Sequence, residues 1–161
     1  MLHHISLGVN NPHHVAEVLA EIMQGNVIPF PPNPGSYVAL AGDEFGTMIE
    51  LYPTGTELIP NAWEGHAGFQ LNEQSSQYSS IHAAISVPIS LEEIERIGER
   101  EGWRVFAANR DGLFDVVEFW IENRLMLELL TPAIAPKYLN VFSPQQLKEL
   151  NSQLGMADAR R

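Results

Sequence analysis

The sequence predicts an α+β fold of two βαβββ modules followed by a C-terminal helix. Strand-like and helix-like segments occur twice in the same order: one strand, one helix and three strands. The spacing of comparable residues also repeats, since His4 precedes Glu50 by 46 residues and His82 precedes Glu128 by 46 residues. A fixed spacing within a repeated order of elements is typical of an internal duplication. The chain is therefore expected to form one domain, residues 1–161, from two related halves.

The first module is expected at residues 2–53. Alternating residues at 3–9 predict a strand. Asn11 is a suitable N-cap and Pro12 a suitable first residue for the helix that follows, and Gly25 is a suitable end for it. Three short apolar segments then predict strands, with the sequences VIPF, YVALAG and TMIELYP.

The second module is expected at residues 81–132. The segment IHAAISVP predicts its first strand. Ser90 and Glu93 form a capping box for a helix that ends at Gly102. Three further strands are predicted from the segments WRVFAAN, DVVEFWIE and RLMLELLTP.

Two segments lie outside the modules. Residues 54–80 are rich in Gly, Ser, Asn and Gln without a clean period, which predicts a long linking loop with His66 as a candidate gate or substrate contact. Residues 141–155 are predicted to form the C-terminal helix, because Ser143 and Gln146 make a second capping box.

Composition excludes several classes of protein. The chain has no cysteine, so disulfides and thiolate metal sites are excluded, and any metal must be held by His, Asp or Glu. Nine basic and 20 acidic residues give a net charge of −11, which disfavours nucleic acid and anionic membranes as partners. No apolar run approaches the roughly 20 residues of a membrane span, and the N-terminus does not resemble a secretory signal. A cytoplasmic protein acting on a small molecule is expected.

Alternation along the strands places four ligand-type residues on comparable faces. In the first strand His4 and Ser6 lie on the face opposite Ile5 and Leu7. The same alternation separates His82, Glu50 and Glu128 from the apolar faces of their own strands. Each module thus has one apolar face, suited to its helix, and one face that carries a histidine and a glutamate.

Two interpretations of these four residues are open. A single His or Glu in a strand is usually a residue with ordinary hydrogen-bond partners or on a solvated face. However, an unpaired carboxylate flanked by apolar residues is costly, and one divalent cation balances two carboxylates. We therefore expect His4, Glu50, His82 and Glu128 to bind one divalent metal ion. Two nitrogen and two oxygen donors suit Zn²⁺, Ni²⁺, Co²⁺, Mn²⁺ or Fe²⁺.

Four motifs carry a resemblance to a known family: LHHISLGV, IELYP, IHAAISV and LELLTP. Over residues 2–132 the chain resembles the vicinal oxygen chelate superfamily, which includes glyoxalase I, extradiol dioxygenases, epimerases and bleomycin-type antibiotic-resistance proteins. The resemblance implies a cup of curved mixed sheet and places His4, Glu50, His82 and Glu128 at the family's metal-ligand positions. The adjacent His3 is disfavoured because alternation points it toward the helix face.

The resemblance also implies a function. It is a metal-dependent lyase or isomerase of glyoxalase type, which acts on a small molecule with vicinal oxygens through a metal-stabilised enediolate. Glu50 or Glu128 would be the catalytic base that moves the proton. Family members close the cup within one chain or between two, and a homodimer is expected here.

Three observations keep other functions open. Glyoxalase I relatives bind glutathione through basic residues, whereas Arg104, Arg110 and Arg124 are expected at surfaces or turns. An extradiol dioxygenase would resemble a site of two His and one Glu, which leaves Glu50 surplus. Whether the protein is catalytically active is also open, because some relatives only sequester a ligand. The aromatic side chains expected to line such a cavity are Tyr52, Phe106, Phe119 and Trp120.

Overall fold

The computed structural model describes residues 3–59, 68–76, 78–79, 81–146 and 149. In that part of the chain the first module contains β1 (His4–Val9), α1 (Pro12–Met23), β2 (Asn26–Pro29), β3 (Tyr37–Leu40) and β4 (Met48–Pro53). A hairpin of β5 (Thr56–Ile59) and β6 (Gly68–Leu71) follows. The second module contains β7 (Ala83–Ser86), α2 (Leu91–Glu101), β8 (Val105–Arg110), β9 (Phe114–Ile121) and β10 (Leu125–Leu130), and α3 (Ala135–Val141) comes after it.

Each module forms a four-stranded mixed sheet. The strand order is β1-β4-β3-β2 in the first sheet and β7-β10-β9-β8 in the second. In each sheet the strand before the helix pairs in parallel with the last strand of its module, and the other pairs are antiparallel. The predicted α+β class with two βαβββ units is confirmed.

The first helix ends one residue earlier than expected, and for a different reason. Asn11 caps its start by accepting a hydrogen bond from the backbone N–H of His14, as predicted. At the other end Gln24, not Gly25, adopts the left-handed conformation, with φ of 55°. A Cβ on Gly25 would lie 1.8 Å from the carbonyl oxygen of Leu40. Gly25 is therefore required for the close approach of the chain to β3 rather than for the turn of the helix.

The second helix has the caps that its sequence predicts. The Ser90 side chain accepts from the backbone N–H of Glu93, and the Glu93 side chain accepts from the backbone N–H of Ser90. Gly102 closes the helix with φ of 67°. Both interactions are local, which is why the sequence identifies them.

One shared hydrophobic core joins the two modules. It contains the apolar faces of both sheets together with the buried sides of α1 and α2. Leu7 and Leu51 contribute from the first sheet, and Phe119 and Leu127 from the second. Since both apolar faces turn toward this core, the opposite faces of the two sheets turn away from it. We call these opposite faces the outer faces.

Polar contacts also connect the modules. Glu21 of α1 forms a salt bridge with Arg100 of α2, with 2.7 Å between Oε2 and Nη2. The carboxylate of Glu122, in the β9–β10 turn, accepts hydrogen bonds from the backbone N–H groups of Asn10 and Asn11. These contacts fix the second module against both ends of α1.

The composition of segment 54–80 predicted a loop, but the segment also contains regular structure. It contains the β5–β6 hairpin, in which Leu58 pairs with Phe69. Phe69 packs against Tyr52 and Phe30, with ring centroids 5.5 and 6.4 Å away. The hairpin is held by this contact with the outer face of the first sheet, and such a long-range contact leaves no local period in the sequence. His66 lies outside the described residues.

The C-terminal region contains a helix that the sequence analysis did not predict. Helix α3 (Ala135–Val141) precedes the segment expected to be helical, and Tyr138 packs against Phe114 on the outer face of the second sheet. Of the helix predicted at 141–155, the part beyond residue 146 lies almost wholly outside the described residues. The Ser143 hydroxyl accepts from the backbone N–H of Gln146, as expected of its cap. No helix in the described part is long and apolar enough to cross a membrane.

Candidate metal centre

The outer face of the first sheet holds Glu50 between two hydroxyl groups. The parallel register of β1 and β4 pairs Ser6 with Glu50. The hydroxyls of Ser6 and Tyr52 both donate to Oε2 of Glu50, each at 2.7 Å. Within the described residues Oε1 of Glu50 has no hydrogen-bond donor. Both partners are neutral, so the charge of this half-buried carboxylate is solvated by dipoles and not balanced by a cation.

Tyr52 is well suited to stay protonated in this position. It is only 4% exposed, under the rings of Phe30 and Phe69. Burial, together with the hydrogen bond to the Glu50 carboxylate, raises the pKa of Tyr52 to about 12. The phenol is therefore a hydrogen-bond donor to Glu50 at any physiological pH.

The outer face of the second sheet holds Glu128 in a different environment. Across the β9–β10 pair Glu128 lies directly opposite Glu118. The Nη2 of Arg110 donates to Oε1 of Glu128 at 2.6 Å and to Oε1 of Glu118 at 3.0 Å. Both hydrogen bonds raise the pKa of Arg110, and the bond to Glu128 has the larger effect. One guanidinium therefore balances part of the charge of two neighbouring carboxylates.

The two predicted histidine ligands occupy comparable places. His4 pairs with Met48, two positions before the Ser6–Glu50 pair and on the same face of the sheet. In the second sheet Ala84 pairs with Glu128, and His82 lies two residues before Ala84. Both histidines are exposed. The strand predicted from residue 81 begins only at Ala83, so His82 lies just before β7, whereas His4 is the first residue of β1.

The structure does not bring the four residues together within one chain. Among the described residues no group of three or more His, Asp or Glu side chains is placed to hold a metal ion. Glu50 and Glu128 lie on the central strands β4 and β10 of two separate sheets. The donor types fit a divalent cation, but one outer face supplies only two of the predicted four.

A cavity of about 500 Å³ lies between the edge strands β1 and β7. Its lining includes His3 and His4 from the first module and residues 83–86 from the second. Of the four predicted ligands, only His4 is part of that lining. The His3 ring, which alternation disfavoured as a ligand, contacts the carbonyl oxygen of Phe45 at 2.6 Å between Nδ1 and O.

Two charged residues of the site were missed in the sequence. Glu118 lies on the outer face with Glu128, and the alternation in DVVEFWIE was enough to place it there. Arg110, expected at a surface or turn, is instead the ion partner of both carboxylates. Its role depends on the β8–β9–β10 register, which a local pattern does not specify.

The aromatic residues divide between the two faces. Phe119 was expected to line a cavity, but it is fully buried in the shared core, against Trp103. Phe106 and Trp120 do lie on the outer face, where the guanidinium of Arg104 sits 5.3 Å and 5.9 Å from their ring centroids. Within the described residues Arg104 has no carboxylate partner, so its charge is stabilised mainly by these rings and by water.

The comparisons with known proteins agree with the architecture. No family profile and no curated protein sequence matches the chain. Among solved structures, it is similar to the fosfomycin resistance protein FosX from Listeria monocytogenes complexed with Mn(II) and sulfate ion. That match has 15% identity and a TM-score of 0.56, and it covers 89% of this chain and 98% of FosX.

A mutant of the same FosX, complexed with Mn(II) and 1S,2S-dihydroxypropylphosphonic acid, matches with 16% identity and a TM-score of 0.52, over 80% of this chain and 87% of that one. A protein from the mobile metagenome of V. Pseudocholerae matches with 16% identity and a TM-score of 0.50, over 82% and 94% of the two chains. FosX proteins belong to the vicinal oxygen chelate superfamily, so the resemblance indicated by the sequence motifs is confirmed at the level of the fold.

Proposed function

We propose that this chain, which has the fold of the vicinal oxygen chelate superfamily, is a divalent-metal-dependent enzyme of lyase or isomerase type that acts on a small molecule with vicinal oxygens. One observation carries the proposal. Each module places a glutamate on its outer face, opposite a residue of the parallel strand, and a histidine lies two residues before that partner. A duplicated pair of donor residues is expected of a metal site and has no evident use in packing.

The site we propose lies between two chains of a homodimer. In such a dimer the outer face of the first sheet of one chain lies against the outer face of the second sheet of its partner. The two-fold axis repeats this contact, so the dimer has two equivalent sites. Each site then has four donors: His4 and Glu50 from one chain, and His82 and Glu128 from the other. A divalent cation at this position would balance the two carboxylates and polarise an oxygen of a bound ligand.

The chain's own residues differ in the task that each suits. Glu50 is held in place by the hydroxyls of Ser6 and Tyr52, and no cationic side chain among the described residues contacts it. A positioned carboxylate of this kind suits the general base, since it can accept a proton without first breaking a salt bridge. Glu128 is paired with Arg110 and suits a fixed, charge-balancing role. Of the two catalytic candidates we therefore assign proton transfer to Glu50.

The substrate class is tested with a panel. A FosX mutant was crystallised with Mn(II) and a dihydroxypropylphosphonic acid. Small epoxides and diols that carry a phosphonate are therefore the first group of test substrates. Thiol adducts of α-ketoaldehydes and catechols are the others. Replacement Glu50→Gln is expected to abolish turnover of whichever compound reacts, and wild-type turnover by Glu50→Gln contradicts the role assigned to it. Oxygen uptake with a catechol would indicate a dioxygenase instead.

The location of the site is tested without a substrate. One chain carries His4→Ala and Glu50→Gln, and the other carries His82→Ala and Glu128→Gln. Neither variant alone has a complete set of ligands in either arrangement. When the two are refolded together, half of the dimers are mixed and each has one intact site, so metal analysis should recover about one quarter of the wild-type content. A site within one chain would recover none.

Sequestration without chemistry is the second candidate, and one observation favours it. Phe106 is 51% exposed on the same outer face as Glu118 and Glu128. Aromatic rings beside carboxylates suit a planar cationic ligand. Tight binding of such a ligand by metal-free protein, unchanged by Glu50→Gln, would support sequestration over catalysis.

A further inference from the structure

We infer that Arg110 competes with the metal ion for Glu128, and that Glu118 is the residue that retains Arg110 once the metal has bound. This inference rests on the proposed function, because it assumes that Glu128 is a metal ligand. It adds a loading step to the site: Arg110 must pass from two carboxylates to one. The two residues that govern this step, Arg110 and Glu118, are not among the four predicted ligands.

The competition follows from the contact between Arg110 and Glu128. Nη2 of Arg110 lies 2.6 Å from Oε1 of Glu128, the distance of a strong charge-assisted hydrogen bond. An oxygen in such a bond does not have its full charge available to a second cation, and a divalent ion beside the guanidinium would be repelled by it. The side chain of Glu128 is only 13% exposed, so solvent screens this competition weakly.

Glu118 is placed to keep Arg110 after the exchange. Its Oε1 already accepts from the same Nη2 of Arg110, at 3.0 Å. Its other oxygen, Oε2, accepts from Nε1 of Trp120 at 3.2 Å, which holds the carboxylate in position. Without Glu118, Arg110 would have no second carboxylate in contact and would stay on Glu128. Glu118 and Glu128 lie directly opposite each other, and two such carboxylates repel. The presence of Glu118 beside Glu128 has a physical reason if Glu118 serves as the alternative partner of Arg110.

The first module contains no such device. In the part of the chain that the structure describes, Glu50 accepts only from two neutral hydroxyls, so a cation that approaches it displaces no charged group there. The cost of exchange therefore falls on the Glu128 half of the site alone. Removing Arg110 should strengthen metal binding, although it also removes a stabilising contact of the protein.

The experiment is calorimetric titration of the full-length protein with Mn²⁺ alone, at a concentration where sedimentation shows one oligomeric state. Arg110→Gln is expected to bind Mn²⁺ about tenfold more tightly than wild type, because it removes a charge-assisted competitor. Glu118→Gln is expected to bind several-fold more weakly, because Arg110 then stays on Glu128. Arg104→Gln removes a positive charge from the same sheet without touching Glu128, and should change the affinity by less than about twofold.

The double variant separates exchange from general electrostatics. In the Arg110→Gln background the effect of Glu118→Gln should fall to less than about twofold, since no guanidinium is left to retain. If Glu118→Gln weakens binding equally in both backgrounds, or if Arg110→Gln binds no more tightly than wild type, the inference is wrong. Circular dichroism checks folding; should Arg110→Gln not fold, Arg110→Lys is used, which cannot match the guanidinium geometry and should tighten binding by a smaller factor.

The inference and the proposed function fail in different ways. If wild type binds Mn²⁺ and Glu128→Gln does not, the proposed site stands, and the Arg110 variants alone decide the inference. If wild type and Glu128→Gln bind Mn²⁺ equally, or neither binds it, the metal site itself is wrong and the inference is overturned with it.

Discussion

The two modules place a glutamate at the same position and stabilise it in different ways. Ser6 pairs with Glu50 in the first sheet, and Ala84 pairs with Glu128 in the second. The serine donates a hydrogen bond, whereas the alanine cannot, and Arg110 from a more distant strand balances Glu128 instead. The duplication has kept the location of the carboxylate but not its chemistry. One half of the proposed site is suited to accept a proton and the other to remain charged.

The outer faces are also covered differently. The β5–β6 hairpin reaches the first through Phe69, which packs on Tyr52. Helix α3 reaches the second through Tyr138, which packs on Phe114. Both additions lie outside the repeated βαβββ unit, so each module gained its own cover over one part of its outer face.

The largest difference should appear when Arg110 is replaced. Arg110→Met keeps much of the side-chain volume but leaves Glu118 and Glu128 opposed with no cation between them. Removing one partner of a buried ion pair costs about 3 kcal/mol in the free energy of unfolding. Because the Arg110 side chain is 36% exposed, we expect a smaller loss here, of about 2 kcal/mol. Urea unfolding at neutral pH measures it. Arg104→Met is the control and should cost less than about 0.5 kcal/mol; equal losses would show that the carboxylate pair is not the cause.

A smaller effect is expected at alkaline pH in the first module. The pKa of Tyr52 is about 12 in the folded protein and near 10 when the chain is unfolded. Between these values the unfolded chain has lost the phenol proton and the folded chain has not, so stability falls as pH rises through the window. The loss should be on the order of 2 kcal/mol between pH 10 and 12. In Tyr52→Phe this component should be absent; an unchanged pH dependence would contradict the assignment.

Ser6 and Ala84 offer a matched pair of smaller effects. Ser6→Ala removes one of two donors to Glu50 and should cost about 1 kcal/mol in urea unfolding. Ala84→Ser places a hydroxyl at the same register position beside Glu128, which already has Arg110, and should change stability by less than about 0.5 kcal/mol. Equal effects of the two changes would mean that the modules do not differ in the way described here.

The smallest effect is expected where the modules meet. Hydrogen bonding to Arg100 lowers the pKa of Glu21 in the folded protein. The contact therefore stabilises the protein fully above the ordinary pKa of 4.5, and this stabilisation is lost as pH falls below 4.5 and through the lower pKa of the folded state. Both side chains are more than a third exposed, so Arg100→Gln should cost only about 0.5 kcal/mol at neutral pH. The difference in the free energy of unfolding between Arg100→Gln and wild type should be smaller at about pH 3 than at neutral pH. Arg96, at 3.5 Å from Glu21, provides a control with a still smaller effect on substitution.

Local patterns were sufficient to predict most of the repeated unit. The Asn11 cap, the Ser90–Glu93 capping box and the strand that contains Glu50 all depend on residues within a few positions of each other. Alternation also assigned Leu7 and Leu51 to the buried face and Glu50 to the opposite one. These predictions are confirmed because each depends on the geometry of a single element.

Contacts between elements were not predicted. The linker hairpin, helix α3 and the position of Phe119 in the core all depend on which surfaces are available after the sheets have formed. The partners of Glu50 and Glu128 were missed for the same reason. Ser6 is 44 residues away from its partner, and Arg110 is 18 residues away on a strand that does not pair with β10.

The sequence by itself determined the duplicated order of elements and the faces on which His4, Glu50 and Glu128 lie, because side-chain direction in a strand follows from its period of two. Only the tertiary structure decided that both outer faces turn away from one shared hydrophobic core, since that core contains the apolar faces of both sheets. It also decided which groups solvate each carboxylate, because strand register brings together residues that are distant in the chain.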